Sequence, residues 1–229
     1  MTIGFDVISD LNLTSADKFE WEDKVTSLFC IIPGNISNDI TVIFNTLKHL
    51  STLYQGVFFI DGGNEHHTIH DCDIRTDQLS KVCKLLKNVV YLHNHVVIVD
   101  GIALVGCNGW YGNYQPKDII EMISVETQRC DDLAYTIKTV ERLQIHVDVK
   151  KIIMITNSVP SQDLYFGDDV ELPEPIGPAH SILQDTEGKI TTWVYGTHNR
   201  TTDTVIDGIR YVNNSCYGQQ PYWAKRIEV

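Results

Sequence analysis

Apolar residues fall along this chain in short runs separated by longer stretches with helical spacing, and that alternation predicts an α/β fold. Ile3 to Ile8 reads as a first strand that stops at Ser9-Asp10, and Ser27 to Ile32 as a second, ended by Pro33-Gly34-Asn35. Between Asp39 and Leu53, the apolar side chains of Ile40, Ile43, Phe44, Leu47 and Leu50 recur at the spacing of one helix face. Gly56 to Ile60 is apolar without interruption, as in a strand covered on both sides.

Asp77 to Leu86 predicts another helix. Val96 to Val99 and Ile102 to Gly106 flank Asp100-Gly101, a dipeptide whose tolerance of positive φ makes it a hairpin turn. Lys117 to about Val147 is a long helical region with one expected break, and Ile152 to Ile155 is a strand running into Thr156-Asn157-Ser158. Tyr165 to His180 carries three prolines, Gly167, Gly177 and several acids, which predicts a loop or lid. Thr191 to Tyr195 and a hairpin turning at Asp207-Gly208 complete the β pattern. With no repeat, low-complexity tract or linker, residues 1–229 are expected to form a single domain.

Polar clusters follow the strands at Asp10-Leu11-Asn12, Gly34-Asn35, Gly63-Asn64, Thr156-Asn157 and Gly196-Thr197-His198-Asn199. Strands of one sheet aim their ends at a common edge, so these loops are placed to converge, and that edge is where open α/β folds keep their chemistry. Asn and Gly are also ordinary turn residues, which accounts for any one of these loops taken alone.

Charge and cysteine usage narrow the partners. The formal net charge of -12 and a pI near 5.0 disfavour non-specific binding to a phosphate backbone. The N-terminus lacks the pattern of a signal peptide, and no apolar run reaches the roughly 18 residues of a spanning helix. Six scattered cysteines without a CxxC pair fit reduced, packed thiols, so the expectation is a cytoplasmic protein with no membrane association.

The stretches "ISDLNL", "IIPGNISND", "IDGGNEHH", "ITNSVPS" and "WVYGTHNR", in that order, resemble the signature of the calcineurin-like metallophosphoesterases. That signature runs DxH, GD, GNH, a lone His and GHxH, each at a strand end. "YLHNHVVIVDGIALVGCNGWY" is similar to the family's hairpin after the GNH loop, and "IDGIRYVNNSCYG" to its closing hairpin. The resemblance spans almost the whole chain. It implies a four-layer α/β/β/α sandwich built on two mixed sheets.

It also implies a site in which two divalent ions, about 3.5 Å apart, share a bridging aspartate and a hydroxide that attacks phosphorus. Carried over by position, Asp10 and Asn64 keep the family's residue type. Asn12, Asn35, Asn157 and Asn199 stand where His, the bridging Asp, His and His are expected. Thr197 takes the place of the other histidine of the last motif, with His198 beside it, and Glu65 takes the place of the catalytic histidine, with His66 one position on. An amide oxygen is a weak neutral ligand for Mn, Fe or Zn, and a neutral bridge does not offset two adjacent dications.

The resemblance therefore implies a phosphoesterase fold whose two-metal site is eroded, with no cofactor expected and a binding or assembly role in place of catalysis. Two alternatives stay open. One is an active metal-dependent phosphodiesterase or phosphatase that uses Asp10, Asn35, Asn64, Glu65 and His198 with Mn, Fe or Zn. The other is a structural component, a homo-oligomer or the companion of another protein.

Four further signals have plainer accounts beside the functional ones. His66 and His70 in "NEHHTIHDCD" have the spacing of zinc ligands on a helix, against a solvated polar loop. "HNH" at His93 to His95 lacks the remainder of a nuclease motif. Trp110-Tyr111 is read as packing, and the acids at Asp168-Asp169 and from Glu171 to Glu174 as a solvated loop.

Overall fold

The structure is a computed structural model. It describes residues 2–67, 72–109, 119–164, 188–197, 200–218 and 222–229. The first sheet has the order β11-β1-β2-β3-β4, from β1 (Gly4–Val7), β2 (Phe29–Pro33), β3 (Gly56–Ile60), β4 (Val89–Tyr91) and β11 (Lys225–Glu228). Strands β1 to β4 run parallel and β11 closes the edge antiparallel to β1. The second sheet has the order β5-β6-β7-β8-β10-β9, from β5 (His95–Val99), β6 (Ile102–Cys107), β7 (Lys151–Thr156), β8 (Ile190–Tyr195), β9 (Thr202–Ile206) and β10 (Ile209–Asn213). Its central strands are parallel, and an antiparallel strand lies at each edge.

Alternation along the strands explains the layering. Phe5, Val7, Ile31, Phe58 and Ile60 of the first sheet meet Leu104, Ile153, Ile155, Val194 and Val212 of the second in one buried cluster between the sheets. The residues between them point outward. Cys30, Ile32, Val57 and Phe59 pack beneath α1 (Ile40–Leu53) and α3 (Cys72–Lys84), while Ala103, Val105, Met154 and Trp193 pack with Val140 and Leu143 of α4 (Ile119–Ile145). Strands apolar on both faces therefore force the α/β/β/α order, because each outer face needs a helix to cover it.

α1 starts where its sequence says it should. Asp39 caps it by accepting the Thr41 N–H at 2.7 Å, and the buried face carries Ile43, Leu47 and Leu50. At Gly106 a Cβ would meet the Leu92 Cβ at 2.4 Å, so the absence of a side chain lets β6 approach the turn after β4.

Several expectations shift. α3 begins at Cys72 and not at Asp77, because its first turn buries Cys72 against Val125 of α4 and Arg75 beneath the strand ends. α4 is unbroken from Ile119 to Ile145, with Leu133, Ile137 and Val140 holding it to the second sheet through its middle, so the expected break is absent; Lys117 lies outside the described residues. β4 and β11 had no clear sequence signal, being short or mostly polar. The expected loop at Tyr165 to His180 and the Trp110-Tyr111 pair also lie outside the described residues. All six cysteines are free, and five of them are buried. Among the described residues no helix is long and apolar enough to cross a membrane.

Candidate functional site

The carboxyl ends of β1, β2, β7 and β8 converge across the two sheets. Asp10, Asn12, Asn35 and Thr197 all sit there with left-handed backbones, at φ 56°, 47°, 60° and 58°. Asp and Asn tolerate this region, whereas the β-branched Thr197 is strained in it. Such strain persists only where the surrounding bonds over-determine the loop.

Those bonds run between side chains. Asn35 Nδ2 donates to Asp10 Oδ1 at 2.8 Å, and Asn35 Oδ1 accepts the Asn64 N–H at 3.0 Å. Asp10 also accepts the Thr197 N–H at 3.0 Å and the Ser9 hydroxyl at 3.0 Å. Asn64 Nδ2 donates to Asn12 Oδ1 at 3.0 Å. Asn157 Nδ2 donates to the Pro33 carbonyl at 2.7 Å, while its Oδ1 accepts the Thr197 hydroxyl at 2.5 Å. Three glycines make room for that amide: a Cβ on Gly34, Gly62 or Gly196 would meet Asn157 Nδ2 at 2.6, 2.5 and 2.9 Å. Burial raises the Asp10 carboxyl against the pull of Asn35, Ser9 and Thr197.

The structure thus brings Asp10, Asn12, Asn35, Asn64, Asn157 and Thr197 into one network. His198 and Asn199 lie outside the described residues. Glu65 and His66 are placed differently, on α2 (Gly63–His66) and both buried. Glu65 accepts the N–H groups of Asn35 (2.9 Å), Ile36 (2.5 Å), Ser37 (3.4 Å) and Gly62 (2.7 Å), which ties the β2 and β3 loops together. Burial pushes its carboxyl up to about 7 in spite of these donors. His66 Nε2 meets Asp61 Oδ2 at 2.5 Å. Of the "HNH" residues, His93 enters that same buried cluster, Asn94 takes a left-handed turn and His95 begins β5. His70, the other half of the zinc spacing, lies outside the described residues.

The donor set of this network is four amides, one carboxyl and one hydroxyl, and amide oxygens are weak neutral ligands for a divalent ion. The atoms that a metal would need are bonded to one another, and Asn35 turns an N–H toward Asp10 where a bridging oxygen would be required. Among the described residues no group of three His, Cys, Asp or Glu side chains is placed to hold a metal. The sequence had offered no sign of Tyr91, Asn108 and Asp132 as polar neighbours of this site. The one hint was Asp61 itself, an acid directly after an apolar strand.

No protein-family model matches the chain and no curated protein matches its sequence. Solved structures do resemble it. The phosphopantetheinyl hydrolase of Mycobacterium tuberculosis superposes with a TM-score of 0.61 at 16% identity, over 97% of this chain and 95% of that one. A protein described as a 5′-nucleotidase from Staphylococcus aureus gives a TM-score of 0.50 at 12% identity, over all of this chain and 51% of its own length. GAP50, described as the anchor in the inner membrane complex of Plasmodium, gives 0.58 at 10% identity, over 99% of this chain and 76% of that one. The order of strands, the two mixed sheets and these likenesses together show that the chain has the metallophosphoesterase fold.

Proposed function

We propose that this protein is a phosphoesterase-fold binding or assembly protein whose two-metal site has been replaced by an amide-rich hydrogen-bonded network. The observation that carries it is the Asn35 amide donating to Asp10 at 2.8 Å. A bridging carboxylate contributes negative charge between two dications; an amide N–H does the opposite and makes that point repel a cation. Asn157 and Thr197 support the same reading, because their hydrogen bonds to the Pro33 carbonyl and to Asp10 join the second sheet to the first. The fold accommodates such a role: the Plasmodium neighbour is described as an anchor.

The test is metal analysis of protein purified without chelator, alongside hydrolysis of bis-p-nitrophenyl phosphate with added Mn. Well under one equivalent of Mn, Fe or Zn is expected, with no metal-stimulated turnover. Two tightly held ions, or Mn-dependent turnover abolished by Asp10→Ala, would overturn the proposal in favour of an active phosphoesterase. Light scattering and partner capture then separate a homo-oligomer from a companion protein.

A further inference from the structure

A second buried polar cluster lies beside the strand-end network. Asp61, directly after β3, is fully buried. Its Oδ2 meets His66 Nε2 at 2.5 Å and Asn108 Nδ2 at 3.0 Å, and its Oδ1 accepts the Tyr91 hydroxyl at 2.7 Å. His93, stacked on Tyr91, holds Nδ1 at 3.7 Å from the same Oδ1. That separation is too long for a hydrogen bond, so a protonated ring would meet the carboxylate through charge. The next residue, Asn94, donates to Asp132 Oδ1 at 2.7 Å, and Asp132 Oδ2 accepts the Gly109 N–H at 3.2 Å. Asp132 is fully buried on α4. One short turn therefore links the end of β3, the end of β6 and the middle of α4.

We propose that His93 is a proton-controlled latch that fastens α4 to the strand-end face. The charged groups acting on it are Asp61 from the end of β3, Asp132 from α4 and Asp73 from α3. Those acting on Asp132 are His93 and Asp61. Protonated, His93 sets a positive charge 3.7 Å from the buried Asp61 carboxylate and within the field of Asp132. Deprotonated, it leaves them without that charge, and the tie loosens. Burial works against the imidazolium, yet the three carboxylates outweigh it and raise His93. Burial likewise pushes Asp132 up to about 6. Both shifts have the same sign. The stability they contribute is complete below the unfolded-state values and is lost as pH rises through the folded ones, about 6 for Asp132 and above the ordinary ~6.5 for His93. α4 also presents Ile119, Met122 and Ile123 to solvent, so its seating sets how that apolar surface is displayed.

Amide hydrogen exchange over α4, expressed as protection factors from about pH 5.5 to about pH 8.5, tests the latch. Protection around Asp132 is expected to fall about tenfold or more as pH rises. His93→Gln is expected to abolish that dependence, and Asp132→Asn to reduce it. An NMR titration of the His93 ring supplies an independent readout, with a midpoint above ~6.5 expected. Protection that does not vary in the unmodified protein, a midpoint at or below the ordinary value, or full dependence retained in either variant overturns the proposal. The Asp132→Asn result decides the matter if His93→Gln fails to fold.

Discussion

The side-chain amide of Asn35 is held at both ends, donating to the Asp10 carboxylate at 2.8 Å and accepting the Asn64 N–H at 3.0 Å. Turning it round would place oxygen against oxygen and N–H against N–H, so its orientation is fixed by its neighbours. Two different loops therefore decide which end of the amide faces Asp10.

Asn35→Asp should destabilise the protein by about 2 kcal/mol or more near neutral pH, because it removes a donor and sets a second carboxylate against Asp10. The loss should shrink under mild acid, where one of the pair takes up a proton. Urea denaturation at the two pH values checks this. Added Mn should raise the melting temperature of the variant and leave the unmodified protein unchanged.

Gly62→Ala should cost about 2 kcal/mol or more, since its Cβ would stand 2.5 Å from both Asn157 Nδ2 and Asn35 Oδ1. In the double variant with Asn157→Ala, part of that loss should return. A double-mutant cycle by chemical denaturation measures the coupling, and simple additivity would mean that the close approach is not what matters.

Glu65→Ala should be among the most damaging single changes, at about 3 kcal/mol or more. It strips the acceptor from four buried main-chain N–H groups that hold two strand-end loops. Thermal unfolding reads the effect. A near-neutral result would free Glu65 for a role in chemistry.

Asp203→Asn acts at the opposite edge. Asp203 of β9 pairs with Arg210 of β10 at 2.8 Å and with Lys225 of β11 at 2.7 Å, so it joins the two sheets. Arg210 foremost, and Lys225, hold its carboxyl down to about 2. Its contribution is present above the unfolded value of ~3.9 and lost as pH falls through about 2. Because the group is largely exposed, the loss at neutral pH should be only about 0.5–1 kcal/mol and should fade in high salt. Denaturation at neutral pH and near pH 2 tests both the size and the sign.

Elements with their own local signal were legible in the sequence. Gly56–Ile60 and the turns at Asp100-Gly101 and Asp207-Gly208 are where the pattern placed them, because continuous apolarity and tolerance of positive φ are properties of the residues concerned. β11 was not legible. Its four residues, Lys225–Glu228, bury only Ile227, and it is a strand because the main chain of β1 offers a partner. The His93 cluster escaped for the same reason: Asp61, His93 and Asp132 belong to separate elements, and nothing local to any one of them marks the others.

For the strand-end loops the division is sharper. The sequence alone determined which side chains stand there, Asp10 with a ring of asparagines, and hence that carboxylates and imidazoles are scarce among the described positions. Only the tertiary structure decided which atom of each amide faces which neighbour. An asparagine offers a donor at one end and an acceptor at the other, and the choice between them is made by groups brought close from distant parts of the chain.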